Sequence, residues 1–235
     1  GVEAKEPEDL ELPNIRKLFV PDPGFTFFDL DLDRADLQVV VWEAEDKELK
    51  QMMREGVDIH VENAKLLGCG RQEAKVWVHG TDYGGGPRTM AISCGIPVHV
   101  AELRQRRWFQ AHPGIKRWHE RTAVQINTKG YVKNIFGYRW YLFDRQNLPD
   151  ALAWQPQSVV GRVINTVWIR IHEQAPHIQV LLQLHDSLGG QFPTHLKPQA
   201  LTQLQALARV EVPYPDPLVI PVGIKTSDVS WGECA

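Results

Sequence analysis

Three stretches that read as strands of one sheet lie toward the two ends of the chain. They are FFDLDLDRADLQ at 27–38, HIQVLLQLHDSLGGQFP at 177–193 and PLVIPVGI at 217–224. Most of what separates them has helical spacing. A strand needs neighbours, so the early one must pair with residues far along the chain, and the helical middle must be an insert. The pattern predicts an α+β fold. The first stretch also sets Asp29, Asp31 and Asp33 at alternate positions. On a strand these would share one face, and three such carboxylates repel unless water or a cation faces them.

At 235 residues the chain is expected to form one large domain, or a domain with a subdomain. A hydrophobic fraction of 43% with 8 Trp and 8 Phe excludes a disordered chain. No apolar run approaches the roughly 18–20 residues of a membrane helix, which predicts a soluble protein without a membrane partner. Cys69, Cys94 and Cys234 suit neither a disulfide framework nor a C-x-x-C zinc site. A reducing compartment and no secretion signal are expected. The first residue is Gly, which points to a processed product or a fragment of something longer.

The net charge of −3 is unevenly spread: residues 1–60 carry −9, 61–150 carry +7 and the remainder −1. An acidic block beside a basic one suits a polyanion handled through a divalent cation, although solvated surface charge gives the same totals.

Along the chain, residues 1–12 are acidic, without periodicity, and expected to fray. The first strand should turn helical after Asp33. Helices are predicted for 46–54, for 58–67 behind an Asp58 cap, and for 71–83 up to Gly84, Gly85 and Gly86. A long helix over 98–128 should break at His112, Pro113 and Gly114. Then come a hairpin across 130–143 turning at Gly137, a helix over 158–173, a hairpin with a tight turn at 185–187, a helix over 194–209 and a last strand at 217–224.

Asp31 in the first strand and Asp186 at the late hairpin tip would meet if the two strands pair. Two carboxylates plus substrate phosphates are a magnesium donor set. Taken alone, Asp186 reads first as a turn-forming residue of a β-hairpin. In RQEAKVWVHGTDYGGG, residues Arg71, Lys75, His79 and Tyr83 recur every fourth position, forming a slowly winding stripe about 18 Å long. The cations would clamp phosphates and the ring would meet sugar and base, although an exposed amphipathic face has the same spacing.

These segments, in order, resemble the A, B and C motifs of family A DNA polymerases. Motif A resembles DLDRADLQVVVWEAED with REGVDIHVENA, motif B resembles RQEAKVWVHGTDYGGG, and motif C resembles LLQLHDSL; FVPDPG, HPGIKRWHERT, GYVKNIFGYRWYLF and PLVIPVGI match between and around them. The resemblance implies an antiparallel-sheet palm with an inserted helical fingers subdomain. Palm would occupy 1–48 and 144–235, and fingers 49–143. It implies that Asp31 and Asp186, with the Leu32 carbonyl, hold two Mg²⁺ ions, for which Mn²⁺ could substitute. Arg71 and Lys75 would bind the dNTP triphosphate and assist catalysis, and His60 would touch a phosphate. Tyr83 would border the nascent base pair, with His79 and Asp36 at the sugar. Arg139, Gln157 and His185 would contact primer-template DNA, and the glycines at 84–86 would be the pivot of closure.

Three positions depart from the family pattern. Asp36 stands for a glutamate one methylene longer, His79 for Phe or Tyr, and Ser187 for the glutamate after the motif C aspartate, with Asp33 expected to restore part of that lost charge. The family's thumb, its T-G-R-type palm segment and its exonuclease domain have no counterpart here, so a separate chain supplying them is an expected partner. The implied activity is DNA-directed DNA synthesis in a cytoplasmic, nucleoid or organellar setting. The other reading is a polymerase-like module that binds nucleotide or primer-template with little turnover.

Overall fold

The computed structural model describes residues 13–142 and 147–234; the segment expected to fray lies outside them. In chain order it contains β1 (Phe25–Leu32), α1 (Ala35–Ala44), α2 (Lys47–Arg54), α3 (Ile59–Leu67), α4 (Arg71–Asp82), α5 (Pro87–Cys94), α6 (Val98–Ala111), α7 (Pro113–Lys129), β2 (Tyr131–Lys133) and β3 (Arg139–Tyr141). There follow α8 (Leu148–Gln174), β4 (Gln179–Leu184), β5 (Ser187–Pro193), α9 (Lys197–Leu207), β6 (Glu211–Val212), β7 (Leu218–Val219) and β8 (Val222–Ser227). The fold is α+β, as the pattern required. The chain divides into two compact units, one from Gly1–Asp31, Val167–Ala208 and Val222–Ala235, the other from Leu32–Thr166 and Arg209–Pro221.

The first unit is built on a sheet of order β4-β5-β1-β8. β1 runs antiparallel to β5 from Phe25↔Pro193 to Asp31↔Ser187, and β4 runs antiparallel to β5. Phe27, Phe28, Leu30, Leu188 and Phe192 are buried in it. Gly190 is required here: a Cβ would overlap the Gln179 carbonyl and stand 2.7 Å from a ring carbon of Phe28. At the N-terminal side Phe19 packs edge-on against Trp231, and Lys17 pairs with Glu233 at 2.9 Å.

The second unit is helical around a core of Leu67, Ala74, Trp77, Val78, Met90, Ala101 and Trp108. Its helices start where short polar side chains or proline permit. Asp46 accepts from the Leu49 amide to cap α2, Asp58 accepts from the His60 and Val61 amides to cap α3, and Pro87 and Pro113 open α5 and α7. Gly114 stands so close to the Ala44 carbonyl that a Cβ would collide with it at 2.6 Å, and would crowd the Asp46 side chain at 3.2 Å.

Four local expectations change. α5, eight residues between Gly84–Gly86 and Gly95, was not expected. α8 begins at Leu148 and carries Pro156 inside it. The burial of Ala151, Leu152, Val159 and Val163 and the ties of the Gln155 side chain hold the turn that proline weakens. The last strand is two, β7 and β8, parted at Pro221, which has no N–H to give a ladder. β1 ends at Leu32, so Asp33 leaves the acidic face and lies in the turn before α1.

Candidate active site

In the first unit the register sets the acidic end. Asp31 is paired with Ser187, the residue after Asp186, and Leu184 pairs with Ser187 across a turn of only His185 and Asp186. Directly opposed Cα atoms in such a ladder lie about 4.5–5.5 Å apart, so Asp186 belongs to the same sheet end as Asp31. Asp31 is exposed, Asp186 half-buried and His185 exposed. His185 takes φ 48°, the left-handed region that a two-residue hairpin turn asks of its first corner. The Ser187 hydroxyl donates to the Leu184 carbonyl at 3.1 Å and braces the turn. Leu32 closes β1 with its side chain buried.

The acidic ladder has three fates. Asp29 accepts from the Trp231 indole N–H at 3.0 Å and is structural. Asp33 accepts from Nε and Nη2 of Arg34 at 3.0 and 2.8 Å. Asp31 lies near the end of β1, exposed. Hard carboxylate oxygens at one sheet end fit Mg²⁺, which takes one or two carboxylates and draws its remaining ligands from water and phosphate. Among the described residues no group of three or more His, Cys, Asp and Glu side chains is placed to hold a metal ion. A pair is therefore all that Asp31 and Asp186 offer.

In the second unit, α4 buries Ala74, Trp77, Val78, Thr81 and Asp82 and exposes Arg71, Lys75 and His79 along its other face. Arg71 Nε donates to Asp58 Oδ2 at 2.8 Å. That guanidinium holds the Asp58 carboxyl below its ordinary range. The same carboxylate caps α3 immediately before His60. Burial lowers the His60 pKa; Asp58 opposes this, while the charges of Arg71, Lys75 and Arg34 lower it further. The charged imidazole is therefore disfavoured, and its buried Nδ1 has no hydrogen-bond partner among the described residues. Lys75 makes no ion pair among the described residues.

Tyr83 caps α4, half-buried, with its ring 4.7 Å from that of His79 in an edge-on arrangement. Burial raises its phenol pKa, and the Asp36 carboxylate raises it further by its charge and by accepting the hydroxyl's hydrogen bond. The shorter Asp36 thus reaches Tyr83. The neighbouring Asp82 is fully buried, which drives its pKa well up. Gly84 and Gly85 follow, and a Cβ on Gly85 would strike the Gly80 carbonyl.

Arg139 lies exposed on β3 with its guanidinium 5.0 Å from the Tyr131 ring. Gln157 is exposed on α8, whereas Gln155 two residues earlier is buried and accepts from the Trp118 indole and the Thr122 hydroxyl at 3.0 Å each. Of the pair, Gln157 is the one available to a ligand. Sequence reasoning missed Arg34, which has φ 48° and ψ 40° and donates to the Val57 carbonyl at 3.4 Å. The only signal was an Asp-Arg pair directly after Leu32, and nothing in it foretold a left-handed backbone.

The first unit is thus an antiparallel sheet with two carboxylates at one end, and the second a helical unit with a cationic face on α4. A family model for DNA polymerase family A matches residues 6–232, and the chain belongs to that family. Its relatives include a thermostable DNA polymerase I of Thermus filiformis, 29% identical over 89% of this chain and 28% of the relative. Another is a DNA polymerase of Mycobacterium phage D29, 27% identical over 93% of this chain and 37% of the relative. The fold resembles the POL domain of Pol1 from M. smegmatis, solved in complex with DNA primer-template and dNTP. That likeness has a TM-score of 0.83 at 19% identity and covers 92% of this chain and 42% of that one. The chain thus spans about a third of the length of these two sequence relatives.

Proposed function

We propose that this chain is the catalytic portion of a DNA-directed DNA polymerase, adding a deoxynucleotide from a dNTP to a primer 3′-hydroxyl and releasing pyrophosphate. Palm would take 1–48 and 144–235 and fingers 49–143, with the remainder of the polymerase supplied in the same polypeptide or by a separate chain. The observation that carries the reading is the β1–β5 register, Asp31↔Ser187, which puts two carboxylates at one sheet end. Asp31 and Asp186, with the Leu32 carbonyl, would hold Mg²⁺ or Mn²⁺. When bound, such ions neutralise phosphate charge and make the attacking hydroxyl more acidic. Arg71 and Lys75 take phosphate oxygens and stabilise the charge that grows on the leaving pyrophosphate. His60 donates an imidazole N–H to a phosphate oxygen. Tyr83, held by Asp36 and packed on His79, presents its ring edge to the sugar and base. Arg139, Gln157 and His185 touch the primer-template.

Ser187 favours a second reading, a nucleotide- or primer-template-binding module of little turnover, because its hydroxyl is engaged by Leu184 and adds no charge beside Asp186. Primer extension with Mg²⁺ or Mn²⁺ separates the two. Extension that Asp186→Ala abolishes, by a factor of about 10³ or more, supports the enzyme. Wild-type protein that binds primer-template without extending it supports the module. Among the described residues no helix is long and apolar enough to cross a membrane.

A further inference from the structure

We propose that the outward face of the β2–β3 hairpin is a binding site for single-stranded DNA, with Tyr131 and Tyr141 stacking on bases and Lys133 and Arg139 holding the adjoining phosphates. The site lies wholly within the helical unit and goes beyond the polymerase reading, on which it does not depend.

The ladder pairs Tyr131 with Tyr141, Val132 with Trp140 and Lys133 with Arg139. Directly opposed residues of an antiparallel pair share a face, and the face alternates along each strand. Val132 and Trp140 therefore turn inward. Val132 is fully buried with Ile126, Leu142 and Ala151, and the rings of Trp140 and Trp154 have centres 6.0 Å apart. The other face consists of two tyrosines and two cations. Tyr141 is 56% exposed, Lys133 and Arg139 are exposed, and Tyr131 is half-buried. The two tyrosine ring centres stand 5.3 Å apart, and the Arg139 guanidinium lies 5.0 Å from the centre of the Tyr131 ring.

This face is tied from behind. The Asn134 side chain accepts from the Tyr138 amide at 3.0 Å and donates to the Ser158 hydroxyl at 2.9 Å. The Gln155 side chain donates to the Lys133 carbonyl at 3.2 Å, and the Leu142 amide donates to the Gly130 carbonyl at 2.9 Å. Rings placed before binding lose little freedom when a base stacks on them. Charge selects the ligand. Residues 121–143 include Arg121, Lys129, Lys133 and Arg139 and no Asp or Glu. Aromatic faces set among cations match a strand that offers bare base faces along a phosphate backbone. In a duplex those faces are already stacked on one another, and an acidic peptide would use the cations without the rings. Membership of a DNA polymerase family makes DNA the strand at hand.

The test is fluorescence anisotropy of a short labelled oligothymidylate, with neither Mg²⁺ nor dNTP present. Wild type is expected to bind it, and Tyr141→Ala to weaken that binding about tenfold while leaving the affinity for a blunt duplex of the same length unchanged. Tyr141→Phe should bind as wild type does, because the ring and not the hydroxyl stacks. Tyr141→Thr keeps strand propensity and gives the same readout if the alanine variant fails to fold. A wild type that does not bind, a folded Tyr141→Ala or Tyr141→Thr that binds unchanged, or an equal loss on the duplex overturns the proposal. Tighter binding of an oligouridylate would hand the face to RNA, and displacement by oligoglutamate that Tyr141→Ala leaves unaffected would hand it to an acidic protein; either result overturns it too. No catalysis enters the assay, so its failure leaves the polymerase reading standing, and a failure of primer extension leaves this site standing.

Discussion

Asp36 and Tyr83 share a hydrogen bond although the carboxylate sits on a side chain one methylene shorter than the family pattern expects. If Asp36 lies at the sugar, as proposed, a side chain one methylene longer carries its carboxylate further from α1 and closer to a ribose 2′-hydroxyl. Asp36→Glu is therefore expected to lower the ratio of ribonucleotide to deoxynucleotide incorporation several-fold, read by competing rATP against dATP in primer extension; an unchanged ratio contradicts the assignment of Asp36 to the sugar. Residue types and spacing made much of this legible, because alternation put the aspartates on a strand and a four-residue step put Arg71, Lys75 and His79 on one face. Partners were not legible. Nothing in DLDLDR says that Asp29 will meet Trp231 from the far end of the chain or that Asp33 will fold back on Arg34. Long-range hydrogen bonds and a left-handed arginine leave no periodic trace.

Helix boundaries with a capping residue were read correctly, as at Asp46 and Asp58, because the cap is a local event between a side chain and amides two or three residues on. α8 was read short for the converse reason. Proline at 156 normally marks a limit, and only burial of the surrounding turn, invisible in one sequence, carries the helix through it. Asp46 is the cap with most at stake, since it is nearly buried and lies 3.8 Å from the Nδ1 of buried His112. Burial alone would raise its pKa, but the imidazole of His112 nearby and the hydrogen bond from the Leu49 amide prevail and the net shift is downward. A carboxyl depressed in the folded state stabilises above its unfolded pKa and loses that contribution as pH falls through the folded value. Asp46→Ala should therefore cost about 1–2 kcal/mol at neutral pH. The difference from wild type should shrink below about pH 4, as measured by denaturant unfolding across pH. A difference that stays constant into acid would mean the carboxylate charge is irrelevant to the cap.

Across the whole molecule, the charge pattern makes a prediction that no single contact does. Residues 61–150 carry +7. If they meet the DNA backbone, binding of primer-template should weaken steeply with salt, with a log–log slope of about −0.9 for each phosphate neutralised. Fluorescence anisotropy between 50 and 200 mM NaCl reads it, and a slope near zero would remove DNA from the surface of the helical unit. The sequence announces that the sheet closes from both ends of the chain, yet no linker marks the passage from one compact unit to the other at Asp31 or Thr166. Backbone continuity hides that border. The pairing of β1 with β5 also has a consequence in time. On a ribosome working at about 5–20 residues per second, β1 emerges roughly ten to thirty seconds before the strand that will cover its edge. Through that interval the Phe-rich segment has no native neighbour, which makes the nascent chain a natural client for a chaperone.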